Sequence, residues 1–150
     1  TEGNHLDQVR TAVKPRWRPL YDTLVPAARS YLSGLGDLAD CQVVPTREVI
    51  TFVGSLPIKI NPQFGLRFGD GHAEAVRLHF DPDPPTPEAL LATLHLTRRH
   101  MDDILPGAEP VVVDLRRGQV HHHDPATRPE QVDRWLAGEA AAFSAMWTAA

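Results

Sequence analysis

Phe64-Gly65-Leu66-Arg67-Phe68-Gly69-Asp70-Gly71-His72-Ala73-Glu74-Ala75-Val76-Arg77-Leu78-His79-Phe80 is the stretch on which the fold turns. Apolar residues alternate with small or polar ones on both sides of Gly69–His72, the period of an antiparallel hairpin with one buried face. Matching the two arms puts Phe64, Leu66, Phe68, Val76, Leu78 and Phe80 on one side. Gln63, Arg67, Arg77 and His79 then share the other, and Gly65 is expected beside Arg77.

Working outward, Leu6, Val9 and Val13 sit at helical spacing, and a longer stripe follows through Trp17, Leu20, Tyr21, Leu24, Ala28, Tyr31, Leu32 and Leu35. Pro26 lies inside that stripe and predicts a kink or two short helices. Glu48–Val53 is β-branched and reads as a strand; Ile58-Lys59-Ile60, flanked by Pro57 and Pro62, reads as a short edge strand. On the C-terminal side, Asp81-Pro82-Asp83-Pro84-Pro85 is a stiff connector and Thr86-Pro87 a helix start. That helix is expected to reach residue 105. A second hairpin follows, Val111–Arg116 and Gln119–His123, with a two-residue turn at Arg117-Gly118. Thr127-Arg128-Pro129-Glu130 has the spacing of a capping box opening the last helix.

The order α-α-β(3–5)-α-β-β-α has no evident βαβ alternation. It predicts an α+β fold, a mainly antiparallel sheet built from hairpins and packed by N-terminal, central and C-terminal helices. Residues 1–150 are read as one domain, and the ends resemble trimmed termini, which leaves room for a longer parent chain. At 150 residues the chain is long enough for one sizeable core without staples.

Composition narrows the function classes. A net charge of −4 gives no overall attraction for nucleic acid or an anionic membrane. Lys14-Pro15-Arg16-Trp17-Arg18 is the one basic, aromatic stretch and reads more simply as a helix entry whose Trp17 joins the core stripe. Cys41 is the single cysteine, so CxxC motifs and internal disulfides are excluded. With neither a spanning apolar run nor a signal-peptide pattern, a cytoplasmic chain is expected. Arginine far outnumbers lysine, and alanine and proline are frequent, the composition of a GC-rich, actinobacterial-like genome.

Three readings of function follow. The first is a non-catalytic binding or regulatory module for a partner protein or small ligand, with a homodimer through the C-terminal helix (Phe143, Met146, Trp147) as one form. No cofactor is expected for it. The second is a metal- or histidine-dependent hydrolase or nuclease. A two-residue turn would set Asp114 opposite His121, and a carboxylate beside an imidazole can orient a general base. His121 and His123 could hold a divalent metal with a nearby carboxylate; the competing reading is an ordinary cross-strand pair. The third is anion or nucleotide binding on Arg67, Arg77 and His79, where planar guanidinium groups match phosphate or carboxylate. His95, with Arg99 and Asp102, reads as a solvated helix face, and His100, five residues on, points about 140° away from it.

Overall fold

A computed structural model describes residues 2–150. Helix α1 (Glu2–Ala12) leads through a 3-10 turn at Pro15–Trp17 into α2 (Arg18–Gly34). The strands β1 (Cys41–Val44), β2 (Val49–Val53), β3 (Leu56–Ile60), β4 (Phe64–Phe68) and β5 (Ala73–His79) follow. Then come α3 (Pro87–Arg99), α4 (Met101–Ile104), β6 (Glu109–Asp114), β7 (Gln119–His122) and α5 (Pro129–Ala149). The fold is α+β: a five-stranded sheet ordered β1-β4-β5-β6-β7 and a separate β2–β3 hairpin.

The alternation in the opening stretch becomes the two faces of the sheet. Phe64 pairs with Val76 and Leu66 with Glu74, so the apolar set points one way. There Leu66, Val76, Val111, Val113 and Leu115 pack on Tyr31, with Leu24, Ala28 and Leu32 of α2 around them. The opposite face buries Ala73 and Ala75 under Met101, Ile104 and Leu105, with Ile60 of the hairpin. Helix α5 lies against α3 and reaches β2. Both faces are therefore covered, which a two-sided sheet needs to bury its apolar residues.

Several expectations change. β5 and β6 pair in parallel through α3 and α4, so one crossover unit is present after all. It was hidden because the connecting helix starts behind a proline run that reads as a loop. Helix α2 continues through Pro26 as one element; burying Val25 and Tyr31 offsets the lost backbone bond. The central helix breaks at His100, whose backbone (φ −110°, ψ 17°) separates α3 from α4. The N-cap of α5 is Arg128 with no side-chain cap bond, so the capping box does not form. Thr86 does cap α3, accepting from the Ala89 amide at 3.1 Å. Trp17 remains 47% exposed, with the Arg16 guanidinium 5.3 Å from its ring centre, rather than joining the core.

Gly65 pairs with Ala75, not Arg77. A methyl group at residue 65 would meet Leu105 Cδ2 and Val44 Cγ2, both at 2.7 Å, so the space is taken by packing. Among the described residues no helix is long and apolar enough to cross a membrane.

Candidate functional site

The second hairpin is where register decides the chemistry. β6 ends at Asp114 and β7 begins at Gln119, which makes these two the closing pair. Residues 115–118 thus form the loop, with Gly118 at φ +62° supplying the left-handed corner. His121 stands opposite Val112, not Asp114. A shift of two residues preserves faces, so Asp114 and His121 still share a side, but as diagonal neighbours roughly 7–8 Å apart. The expected carboxylate–imidazole pair does not form.

Asp114 has other work. Its side chain is fully buried, and Arg117 Nη1 donates to both carboxylate oxygens at 2.9 and 3.1 Å. The same guanidinium donates through Nη2 to the Pro82 carbonyl. Asp114 is therefore a buried anchor of the turn. His121 Nε2 is buried and meets no hydrogen-bond partner among the described residues. The imidazole of His123 is pushed below its ordinary range by burial and by the Arg98 guanidinium. Among the described residues, no three His, Cys, Asp or Glu side chains are grouped so as to hold a metal ion. His121 and His123 do not acquire the remaining ligands that a divalent metal needs.

His95 is buried rather than solvated. Its Nε2 lies 2.8 Å from Asp133 Oδ1 of α5, and Arg99 Nη2 reaches Asp133 Oδ2 at 2.9 Å. The partner is Asp133, thirty-eight residues along the chain, and the three groups tie α3 to α5. Helical periodicity alone cannot reveal a partner on another element.

The cationic sheet face separates into two places. Arg67 pairs with Ala73 across the hairpin, whereas Arg77 lies four residues farther along β5, roughly 13 Å away. Arg67 does not line the cleft that Arg77 and His79 share, so the expected three-residue clamp is not assembled. Arg77 and His79 instead line a cleft of about 680 Å³ between the end of β5, the start of α3 and the proline connector.

The connector lines this cleft as a strap, fixed through carbonyl groups at Phe80, Pro82 and Asp83. Arg116 Nε donates to Phe80 O, Arg117 Nη2 to Pro82 O, and His79 Nε2 to Asp83 O at 2.8 Å. His79 thus holds the strap, and its Nε2 proton is already used. Arg77 Nη1 donates to Asn61 O at 2.9 Å, one of the five N–H donors a guanidinium carries. Gln63 accepts the Leu78 amide through Oε1, which leaves its two amide protons. Asp81 and Asp83 bring carboxylates to the rim, while Leu90 and Val112 contribute apolar wall. Arg77 also lines a smaller adjoining cavity of about 160 Å³ beside Lys59, Asn61 and Thr97. Lys59 is itself paired with Glu48 at 2.9 Å.

Sequence reasoning placed Gln63, Arg77 and His79 on one face but missed Val112 and the two latching arginines. The proline run flanked by aspartates was a visible signal of a stiff strap. Nothing local indicates that Arg116 and Arg117, more than thirty residues away, hold it. The sequence matches no protein-family model and no curated protein.

Proposed function

We propose that the chain is a non-catalytic binding module that takes a small ligand in the cleft beneath the 81–86 strap. Arg77 is the observation that carries this reading: a guanidinium lining the cleft, with Nη1 held by Asn61 O. The volume of about 680 Å³ is that of a small-molecule site, and apolar wall combined with a few fixed polar groups is the usual composition of one. A carboxylate or phosphate suits Arg77 and the Gln63 amide. Hydroxyl or amino groups on the same molecule suit Asp81 and Asp83, which also line the cleft. Arg67 has no part in this site. The hydrolase alternative is not favoured by geometry, because the Asp114 carboxylate is already occupied by Arg117.

Isothermal titration of carboxylate- and phosphate-bearing compounds that also carry hydroxyl or amino groups tests this. Wild type and Arg67→Ala should bind alike, and Arg77→Ala should weaken binding by roughly tenfold or more, the loss of one charge-assisted bond. Binding that survives Arg77→Ala but disappears with Arg67→Ala, or no binding across the panel, contradicts it.

A second reading, docking of a protein on the end of α5, is favoured by a different observation. Phe143, Met146 and Trp147 stand exposed on a stretch that carries no charge.

A further inference from the structure

The small cavity of about 160 Å³ beside the strap cleft shares two lining residues with it, Arg77 and Thr93. Half of its ten lining residues are apolar: Ile58, Ile60, Pro62, Ala92 and Leu96. Spacing in the sequence accounts for this wall. Ile58 and Ile60 share one side of β3, and Ala92 and Leu96, one turn apart, share one side of α3.

The polar groups around the cavity are largely committed within the protein. Arg77 Nη1 donates to Asn61 O at 2.9 Å, Thr97 Oγ1 to Thr93 O at 2.7 Å and Thr46 Oγ1 to Pro62 O at 3.1 Å. The Lys59 ammonium is paired with Glu48. A polar group entering this space gives up water for few partners, whereas an apolar group gains by leaving water.

We propose that the small cavity takes the aromatic ring of a monocarboxylate whose acid group is held by Arg77 and whose remaining polar groups lie in the larger cleft. The inference rests on the cleft reading above and narrows its ligand to one class. Size selects the ring. An apolar cavity of about 150 Å³ accepts benzene, and one of about 160 Å³ has room for a single ring but not for two fused ones. Position selects the attachment: Arg77 lines both spaces, so the acid group lies between the ring and the rest of the molecule.

Charge selects a carboxylate over a phosphate. Three basic side chains line the two spaces, Lys59, Arg77 and His79. Lys59 is balanced by Glu48, and His79 Nε2 is bonded to Asp83 O, which leaves the Arg77 guanidinium to balance the ligand. One guanidinium matches one negative charge, whereas a phosphate monoester carries about −1.5 to −2 near pH 7. The excess would stand in a cleft also lined by the Asp81 and Asp83 carboxylates.

NMR titration of the wild-type chain with phenyllactate, lactate and phenyl phosphate tests this, with Ala92→Leu to fill the cavity. Phenyllactate differs from lactate by the ring alone. It should bind at least about tenfold tighter, the low end of what burying a phenyl group gains. Its ring protons should show Overhauser contacts to the Ile58 and Leu96 methyl groups, and phenyl phosphate should bind more weakly. Ala92→Leu, with an unchanged melting curve, should bind the two hydroxy acids alike; should it fail to fold, the wild-type ring contacts decide alone. Equal, Arg77-dependent binding of the two acids by wild type overturns the ring site and keeps the cleft reading. A ring preference that survives Ala92→Leu, or ring contacts confined to the larger cleft, overturns the ring site too. Phenyl phosphate binding as tightly as phenyllactate overturns the carboxylate. Silence from all three compounds overturns the aromatic class, and silence across the calorimetric panel as well overturns the cleft reading with it.

Discussion

Gly65 is held by steric need rather than by backbone conformation. Its missing Cβ is the space into which Leu105 and Val44 close, each with an atom 2.7 Å from where a methyl would stand. Gly65→Ala should therefore cost about 1–3 kcal/mol, the usual penalty of overpacking a dense core. A urea midpoint equal to wild type would contradict this. Tyr31 carries a different kind of cost. It is nine-tenths buried, and its hydroxyl meets no hydrogen-bond partner among the described residues. Burial pushes its phenol up from 10.0 to about 12, with Glu74 and Cys41 adding to the rise. Since the raised value belongs to the folded state, the neutral phenol's contribution is complete below pH 10 and is lost as pH climbs toward about 12. Tyr31→Phe should leave neutral-pH stability nearly unchanged and make the decline between pH 10 and 12 shallower. Urea melts at both ends of that range check it, and an alkaline decline identical to wild type would sink it.

At the scale of elements, the strap and the β6–β7 turn behave as one unit. Asp114 is fully buried and Arg117 is its ion-pair partner, while the same guanidinium reaches the strap at Pro82. Removing the cation leaves a buried carboxylate without compensation. Arg117→Met should therefore destabilise the fold by about 3 kcal/mol, the lower end for breaking a buried pair because Arg117 is itself partly exposed. The double variant Asp114→Leu/Arg117→Met should recover much of that loss. Chemical denaturation of the three proteins reads it directly; a single variant as stable as wild type would refute it.

The same elements mark how far the sequence could be read. Side-chain alternation along β4 and β5 placed the correct residues on each face, because the period of a strand is a local property. Register in the second hairpin was not legible. A two-residue and a four-residue turn give the same face assignment, and only the Asp114–Arg117 contact across the loop distinguishes them. Arg77 was identifiable as a cation on a sheet face. Its separation from Arg67 depended on position along β5, and the cleft around it depended on the parallel placement of β6. His95 failed for a similar reason, since Asp133 comes from a helix whose packing no local pattern specifies.

For the whole molecule, the layers explain why binding groups gather at one end. Helix α2 covers one face of the sheet, while α4 and the β2–β3 hairpin cover the other near the start of β5. At the far end of β5 that cover gives way to the strap, and Arg77 and His79 emerge there together with Gln63. The apolar tip of α5 is built from another segment, beside Ser55 and Leu56. The measurement closest to the central claim is an amide and guanidinium NMR titration with the tightest compound from the calorimetric panel. Shifts should concentrate on the Arg77 guanidinium, the Gln63 side-chain amide, the strap and the first turn of α3, with Arg67 unmoved. Shifts centred on Arg67 or on His121 and His123, with Arg77 silent, would contradict the account.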